Sequence, residues 1–105
     1  MAEAAPGPED AKLLVLARSA AARTGGAGAA VRDDIGRTYL AGTVAVASLR
    51  LSALQAAVAQ AVGSGVTRLE AVALVGERAD GEATAELLAA LGHPVVLDDA
   101  AGGAT

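Results

Sequence analysis

Cysteine is missing from all 105 residues of this sequence. Its absence excludes disulfide bridges, cysteine nucleophiles and every metal site that needs thiolate ligands. Histidine occurs once, as His93, and it has no partner at helical or loop spacing that would complete a metal site or an acid–base pair. The sequence therefore offers few residues that could bind a transition metal or act as a catalytic nucleophile or base.

Large aromatic side chains are scarce as well. Phe and Trp are absent, and Tyr39 is the single tyrosine. More than a quarter of the residues are alanine, within an apolar content of 53%. At about 25 cal/mol per Å² of apolar surface, an alanine-rich core gains less free energy than a Leu/Phe core of equal length. A single small domain of this kind is a candidate for further stabilisation by contacts between subunits.

Basic charge is sparse and scattered. Lys12 is the only lysine, and the formal net charge is −4. No basic stripe is present that would neutralise phosphates, which disfavours nucleic-acid binding by bulk electrostatics. The N-terminal segment MAEAAPGPEDAK lacks a secretory signal pattern, and the longest uncharged run is too short for a comfortable membrane span. We expect a cytoplasmic protein that does not bind a membrane.

Hydrophobic periodicity and turn residues predict the order α-β-β-α-β-α-β, which is typical of a three-layer α/β domain. A disordered lead-in is expected at residues 1–7, one domain at 8–97 and a flexible tail at 98–105. The predicted elements are a helix from Pro8 ended by Gly25 and Gly26, a hairpin with strands at 28–32 and 37–46, a buried helix at 52–63, a central strand at 69–75, a helix at 82–91 and a strand at 95–97.

The predicted helix after the hairpin is the most informative segment. Leu54, Val58, Ala61 and Val62 fall on one face, Ser52 is suited to the N-cap, and Gly63 and Gly65 are suited to the end. No charged residue lies between Arg50 and Arg68. Such a helix requires contact on more than one side, from a sheet together with a neighbouring helix or another subunit.

Four segments carry a resemblance to the small, homotetrameric type of cytidine deaminase. They are GAAVRDDIGRTY (28–39), SALQAAVAQAVGSG (52–65), LEAVALV (69–75) and AELLAALGHPVVL (85–97). The resemblance implies a three-layer α/β/α cytidine-deaminase-like sandwich, truncated at the C-terminus. It also implies a homo-oligomer, a dimer or a tetramer.

The chemistry of that family uses a zinc ion, held by a His or Cys and by two further Cys, together with a glutamate that shuttles protons. The resemblance places the first ligand at Ser52, the glutamate at Leu54 and the two thiolates at Gly81 and Thr84. The ribose-binding N-V-E-N motif of the family falls on 43–46, where Thr43, Ala45 and Val46 replace its Asn and Glu residues. A hydroxyl is a poor zinc ligand beside thiolate or imidazole, and a leucine cannot transfer a proton. We therefore expect neither zinc nor another cofactor.

Other candidate sites have plainer explanations. His93, between Gly92 and Pro94, is expected to be a turn residue. The glycines at 25–28 lack the ending of a phosphate loop and are better explained as a helix terminator. The adjacent carboxylates at 33–34 and 98–99 are attributed to a hairpin turn and to the solvated tail. Ser52 has no base to activate it and is expected to be an N-cap.

Two functions of different classes remain, beside an unrelated α/β domain that merely shares an alanine-rich helix. The first is a pseudoenzyme that acts as an oligomeric structural or interaction module, with the helix at 52–63 at the subunit contact. The small residues expected to permit that contact are Ala53, Ala56, Ala57 and Ala61. The alternative is a pyrimidine nucleoside-binding protein or a residual cytidine deaminase, which converts cytidine to uridine by hydrolysis.

Overall fold

The computed structural model describes residues 7–78 and 81–99, and within them three helices and six strands. The elements in chain order are α1 (Pro8–Thr24), β1 (Gly28–Asp33), β2 (Thr38–Gly42), β3 (Val44–Val46), β4 (Leu49–Leu51), α2 (Ala53–Gly63), β5 (Leu69–Val75), α3 (Glu82–Ala90) and β6 (Val95–Asp99).

A four-stranded mixed sheet in the order β2-β1-β5-β6 forms the middle layer. Strand β1 runs antiparallel to both β2 and β5, whereas β5 and β6 are parallel. Val31 of β1 lies between Tyr39 of β2 and Val72 of β5, which fixes the register. Every residue of β5 except Glu70 is buried. This confirms the expected central strand, because only a strand covered on both faces carries a continuous apolar run.

Helix α1 covers one face of the sheet. Pro8 begins the helix, Glu9 and Asp10 lie in its first turn, and Gly25 ends it with a φ of 73°. Its buried residues Leu13 and Ala17 pack against a face made of small side chains. Gly28 is required here, because a Cβ at this position would lie against the carbonyl oxygen of Ala17 and the backbone nitrogen of Ala21. The helix and β1 therefore approach more closely than any larger residue would allow.

Helices α2 and α3 cover the opposite face, which completes the expected three-layer α/β/α arrangement. Leu54, Val58 and Ala61 of α2 share one hydrophobic cluster with Leu88 of α3. Leu91, just after α3, belongs to the same cluster. The side chain of Gln60 donates a hydrogen bond of 2.8 Å to the carbonyl oxygen of Leu40, which ties α2 to the edge strand β2.

The predicted strand at 37–46 is wrong in its extent and gives two separate strands. It breaks at Thr43, after which β3 leaves the main sheet and pairs antiparallel with β4 in a two-stranded hairpin. Ala47 and Ser48 form the turn, and Ser48 has a φ of 70°. Only the two extra strands separate the observed element order from the expected one.

The carboxyl-terminal strand is longer than expected. Strand β6 continues through Asp98 to Asp99, so these two residues belong to the sheet and not to a tail beginning at 98. The remaining parts of the expected lead-in and tail, residues 1–6 and 100–105, lie outside the described residues. In the described ranges, no helix has the length and apolar character needed to cross a membrane.

Candidate functional site

Ser52 is the N-cap of α2, as expected. Its hydroxyl oxygen accepts a hydrogen bond of 3.0 Å from the backbone N–H of Gln55, and the Gln55 side chain accepts one of 2.9 Å from the N–H of Ser52. This reciprocal pair is a capping box, with glutamine at the third helical position. The Ser52 hydroxyl is therefore engaged in starting the helix.

Glu77 satisfies the other two donors at the same helix end. Its Oε2 accepts a hydrogen bond of 3.2 Å from the N–H of Ala53, and its Oε1 accepts one of 3.0 Å from the N–H of Leu54. The residue follows β5 after Gly76, whose φ of 79° turns the chain out of the sheet. A carboxylate is favourable at this position because the amino end of a helix carries partial positive charge.

Together these contacts leave no open donor at the start of α2. The N–H groups of Ala53, Leu54 and Gln55 bind side-chain oxygens of Glu77 and Ser52, and the N–H of Ser52 binds the side-chain oxygen of Gln55. A helix amino end normally has four backbone N–H groups without an intrahelical partner. At α2, side chains of the protein occupy the positions that an anionic ligand would otherwise use.

Leu54 is part of the hydrophobic core. It is 2% exposed and belongs to the cluster between α2, α3 and the sheet. The expected burial of this side chain is thereby observed. The sequence did not reveal that its backbone N–H is capped by a carboxylate from another element.

Gly81 and Thr84 lie at the start of α3. Gly81 is the N-cap and supplies no side-chain hydrogen bond, and its carbonyl oxygen accepts from the N–H of Ala85. Thr84 is half-buried in the first turn of the helix. The two positions therefore hold one hydroxyl group between them.

The hairpin of β3 and β4 places residues 43–46 next to the start of α2. Val44 pairs with Leu51, the residue immediately before Ser52. Thr43 lies between β2 and β3, and the side chains of Ala45 and Val46 are exposed on the hairpin. The pairing thus brings the base of the hairpin close to Ser52, and of the three expected ribose-binding positions Thr43 is the one with a polar side chain.

The alanines expected at a subunit contact face the interior. Ala53, Ala57 and Ala61 are completely buried in the cluster between α2 and the sheet, and Ala56 is 6% exposed. The interface prediction is corrected accordingly, because a helix that packs against its own sheet presents its other face to the outside. The exposed residues of α2 are Gln55, Ala59, Gln60, Val62 and Gly63.

A groove of about 690 Å³ runs between the outer sides of α2 and α3. Its apolar walls include Val58 and Val62 from α2 and Leu87 from α3. Gln55 and Glu86 add polar groups to the lining. The groove is open to solvent and follows the two helices along their length.

At the other end of the sheet, the buried Arg32 forms ion pairs with two partly exposed carboxylates. Its Nη2 lies 3.0 Å from Asp10 and its Nε lies 3.0 Å from Glu70. Burial acts to lower the pKa of Arg32, but the hydrogen bonds and charges of the two carboxylates raise it above its usual value. Its Nη1 is buried, and among the described residues it has no hydrogen-bond partner.

Asp33 organises the β1–β2 turn. It accepts hydrogen bonds from the Nε of Arg37 at 2.6 Å and from the N–H groups of Arg37 and Ile35 at 2.8 and 3.1 Å. Burial acts to raise the pKa of this carboxyl, but the hydrogen bonds and the positive charge of Arg37 outweigh it, so the pKa lies below its usual value. Asp33 is thus the last residue of β1, one position beyond the expected strand, and its carboxylate holds the turn that follows.

His93 is also a turn residue, as expected. It is exposed, has a φ of 56°, and donates its backbone N–H to the carbonyl oxygen of Leu88 at 2.9 Å. The bond closes the carboxyl end of α3. In the described part of the chain, no group of three or more acidic or histidine side chains is arranged to hold a metal ion.

A family model described as cytidine deaminase-like matches residues 6–102, nearly the whole chain. The mixed sheet and its three flanking helices agree with that family's α/β/α fold. The chain belongs to the cytidine deaminase-like family. A search of individually curated proteins returned no match.

The residues at the start of α2 do not fit the zinc ion that the family fold implies. Ser52 contributes a hydroxyl used as a helix cap, Leu54 and Gly81 contribute no ligand, and the Glu77 oxygens are bonded to backbone N–H groups. Zinc sites in proteins are built from thiolate, imidazole and carboxylate ligands that converge with free lone pairs. Ser52, Leu54, Gly81 and Glu77 provide neither a thiolate nor an imidazole.

Two residues important for this arrangement were missed from the sequence. Glu77 received no role from the sequence, and Arg32 was only the last residue of the predicted strand at 28–32. A signal did exist for Glu77: an acidic residue two positions after the predicted central strand, at the strand end where the chain turns out of the sheet. For Arg32, the signal was a charged residue within a strand that is otherwise fully apolar and small up to that point.

Proposed function

We propose that this chain is a non-catalytic member of the cytidine deaminase-like family that acts as an oligomeric structural or interaction module. The observation that carries the proposal is the amino end of α2. There Glu77 and Ser52 occupy the backbone donors, while Leu54 fills the core with hydrocarbon. We include a cytoplasmic location in the proposal, because a chain without cysteine needs no oxidising compartment.

Hydrolytic deamination requires a water made nucleophilic and a group that moves protons between it and the leaving amine. In the family the zinc ion would supply the first, and a glutamate the second. Leu54 has no titratable group, and Glu77 is held by two backbone N–H groups in the role of a helix cap. Loss of a general acid–base group alone typically lowers the rate by two to four powers of ten.

The interaction part of the proposal is supported by apolar surface left outside the core. Val62 beside the α2–α3 groove and Val46 and Leu49 on the hairpin are each about half exposed. An alanine-rich interior gains limited free energy from burial, and association of copies adds to it. These surfaces, unlike the buried alanines of α2, are open to a partner.

Three measurements on the purified protein test the proposal. After expression with added zinc, elemental analysis is expected to find zinc far below one ion per chain. Conversion of cytidine to uridine is expected to equal that of buffer, with an active family member as the positive control. Light scattering coupled to size exclusion is expected to find a dimer or a tetramer. Stoichiometric zinc or turnover above buffer would contradict the non-catalytic assignment, and a monomer at micromolar concentration would contradict the oligomeric one.

Nucleoside binding without reaction is tested separately. Thermal unfolding is measured with cytidine, uridine and adenosine at millimolar concentration, and no shift is expected, because residues 43–46 present no amide or carboxylate to a ribose. A ligand present at 100 times its Kd would stabilise the folded chain by about 2.7 kcal/mol. A rise in Tm with pyrimidine nucleosides alone would favour the binding alternative.

A further inference from the structure

Strand β6 is an open edge of the main sheet. It pairs with β5 in a parallel register without a shift, and no other described strand pairs with its outer side. Val95 is 59% exposed, and residues 95–97 include none of the lysines, prolines or bulges that usually protect an edge strand. At the opposite edge, by contrast, the side chain of Gln60 donates to the carbonyl oxygen of Leu40 in β2. In the described part of the chain, β6 thus presents a backbone edge to which another strand can add.

The pairing of β6 with β5 determines which side of the sheet each of its residues occupies. Val95 pairs with Ala71, and Leu97 packs against the cluster beneath α1, so both lie on the α1 side. Val96 and Asp98 lie on the other side, where Val96 packs against the cluster beneath α2 and α3. Side chains contact each other across a strand pair only when they share a side of the sheet.

A second copy of β6 fits this edge in an antiparallel register centred on Val96. In that register Val95 of each copy lies directly opposite Leu97 of the other, on the α1 side, so the exposed valine gains an apolar neighbour. A two-fold axis perpendicular to the sheet relates the copies and keeps both α1 helices on the same side. The apolar pair therefore forms twice in the same contact.

The charges at the two ends of β6 are complementary in this register. Asp98 of one copy lies opposite Pro94 of the other, at the strand end where Arg68 lines the same pocket as Pro94. Arg68 is exposed and lies against Gly92 just after α3, and Asp98 is exposed on the α3 side of the sheet. Within the described ranges, neither side chain forms an ion pair. The two Asp98 residues would lie about 14 Å apart at about 3.4 Å per residue, beyond a Debye length of about 8 Å.

We propose that two copies of this chain associate through their β6 strands, which pair antiparallel and join the two four-stranded sheets into one. The inference rests on the oligomeric part of the proposed function and specifies its surface. A second copy is the occupant because the edge is complementary to itself, with apolar residues opposite each other on the α1 side and opposite charges at each end. Such a contact uses the same surface on both copies and closes as a dimer.

An edge charge tests the pairing through the oligomeric state, measured by sedimentation velocity over a concentration series. Val95→Lys is expected to raise the dimer Kd about tenfold or more, because it places a charge opposite Leu97 of the second copy. Val15→Lys is the matched control and should leave the Kd unchanged. Val15 is 58% exposed, and it lies between the buried Leu13 and Ala17 on the side of α1 that faces away from the sheet.

Charge reversal tests the contact at the ends of the strand in the same assay. Arg68→Glu and Asp98→Arg are each expected to raise the dimer Kd several-fold, since each brings like charges together. The double variant is expected to restore the Kd toward that of the wild type. Rescue by the second substitution distinguishes a direct contact from a general loss of stability.

Crosslinking tests the register without requiring loss of the dimer. The chain contains no cysteine, so Val95→Cys and Leu97→Cys proteins can be mixed and oxidised without background. Directly opposite residues of an antiparallel pair have Cα atoms about 4.5–5.5 Å apart, within the range of a disulfide, whereas diagonal neighbours are about 7–8 Å apart. A 95–97 disulfide is therefore expected in the mixture, and a 95–95 disulfide is not expected in the Val95→Cys protein alone. Circular dichroism verifies that each variant is folded.

A wild-type dimer or tetramer that responds equally to Val95→Lys and Val15→Lys, and that gives no 95–97 disulfide, would overturn the edge pairing and leave the proposed function intact. A monomeric wild-type protein would overturn both.

Discussion

The carboxylate of Glu77 accepts a hydrogen bond of 3.0 Å from the backbone N–H of Leu54. The side chain of Leu54 lies in the core, and its backbone N–H is capped by Glu77, which follows the end of β5. The same short contact thus joins the central strand to the helix that the resemblance placed at the catalytic site. The amino end of α2, which could otherwise bind a ligand, is thereby used to link the helix to the chain that follows β5.

Removing the Glu77 carboxylate should destabilise the protein. Glu77→Ala is expected to lower the free energy of unfolding by about 1–2 kcal/mol, the usual cost of losing a helix cap. Glu77→Gln is expected to cost less, because it keeps one acceptor oxygen but loses the charge. Urea denaturation followed by circular dichroism measures both. The control Glu82→Gln removes an acid from the first turn of α3 and should cost a few tenths of a kcal/mol. Equal effects for Glu77 and Glu82 would contradict the capping role.

Leu54 should behave as a core residue. Leu54→Ala is expected to lower the free energy of unfolding by about 2–5 kcal/mol, because it removes buried hydrocarbon and leaves a cavity. Leu54→Glu should be more damaging, since it would bury a second carboxylate close to Glu77. Chemical denaturation measures the first variant, and the soluble yield and ellipticity report the second. The exposed Val15→Ala should change stability by less than about 0.5 kcal/mol. A folded Leu54→Glu protein of unchanged stability would refute the core assignment.

The lowered pKa of Asp33 predicts a specific dependence of stability on pH. A carboxyl whose pKa is lower in the folded chain contributes stability above its unfolded pKa of about 3.9, and this contribution disappears as the pH falls through the folded value. The difference in unfolding free energy between wild type and Asp33→Asn should therefore be largest near neutral pH and shrink in acid. Urea titrations from neutral pH down to acid measure it. The exposed neighbour Asp34→Asn serves as the control, and a difference that stays constant over the whole range would refute the prediction.

The Arg32 cluster should depend on the two-sided geometry of the guanidinium group. Arg32→Lys and Arg32→Met are both expected to lower the unfolding free energy by about 1–3 kcal/mol. The lysine ammonium cannot bind Asp10 and Glu70 in the same way as a guanidinium group, and methionine has no charge to bind either carboxylate. The expected loss is smaller than for a fully buried pair because Glu70 is half exposed and solvent screens its charge. Thermal and urea denaturation measure the loss. Full stability in the lysine variant would show that charge alone is sufficient.

The close approach of α1 and β1 predicts opposite effects for two glycine substitutions. Gly28→Ala is expected to cost about 1–3 kcal/mol, because its Cβ would overlap the backbone of α1 at Ala17 and Ala21. Gly63→Ala, at the end of α2 with open space around it, is expected to stabilise the protein by up to about 1 kcal/mol. Denaturation of the two variants in parallel is the measurement. Effects of the same sign would contradict this packing.

Local signals were sufficient to predict most of the fold. Pro8 and Gly25 delimit α1, Ser52 begins α2, and the uninterrupted apolar run at 69–75 forms the central strand. Each of these features depends on residues within a few positions of one another. Capping, chain termination and a burial pattern are properties of the local sequence, so they can be read without knowing the tertiary arrangement.

The features that were missed depend on contacts between distant segments. Glu77 meets Leu54 across 23 residues, and no periodicity encodes that contact. Strand β4 is three residues long, too short to show an alternating pattern, and it exists because β3 pairs with it. The exposed and buried sides of α2 were also confused, because alanine on both sides of a helix gives no amphipathic contrast.

The two faces of the sheet differ in the size of their side chains, and this difference has a consequence for how the sequence can drift. On the α1 face the central strands present Ala30, Ala71 and Ala73 beside Gly28, with Val75 at the end of β5. The opposite face presents Ala29 and the larger Val31, Val72 and Leu74. Along each strand, the small residues that face α1 will therefore not tolerate larger side chains. The larger residues that face α2 and α3 will not tolerate truncation. A saturation-mutagenesis profile along β1 and β5 should show this two-residue alternation, and a homologue that gains a bulky residue toward α1 must shift the entire helix outward to keep it.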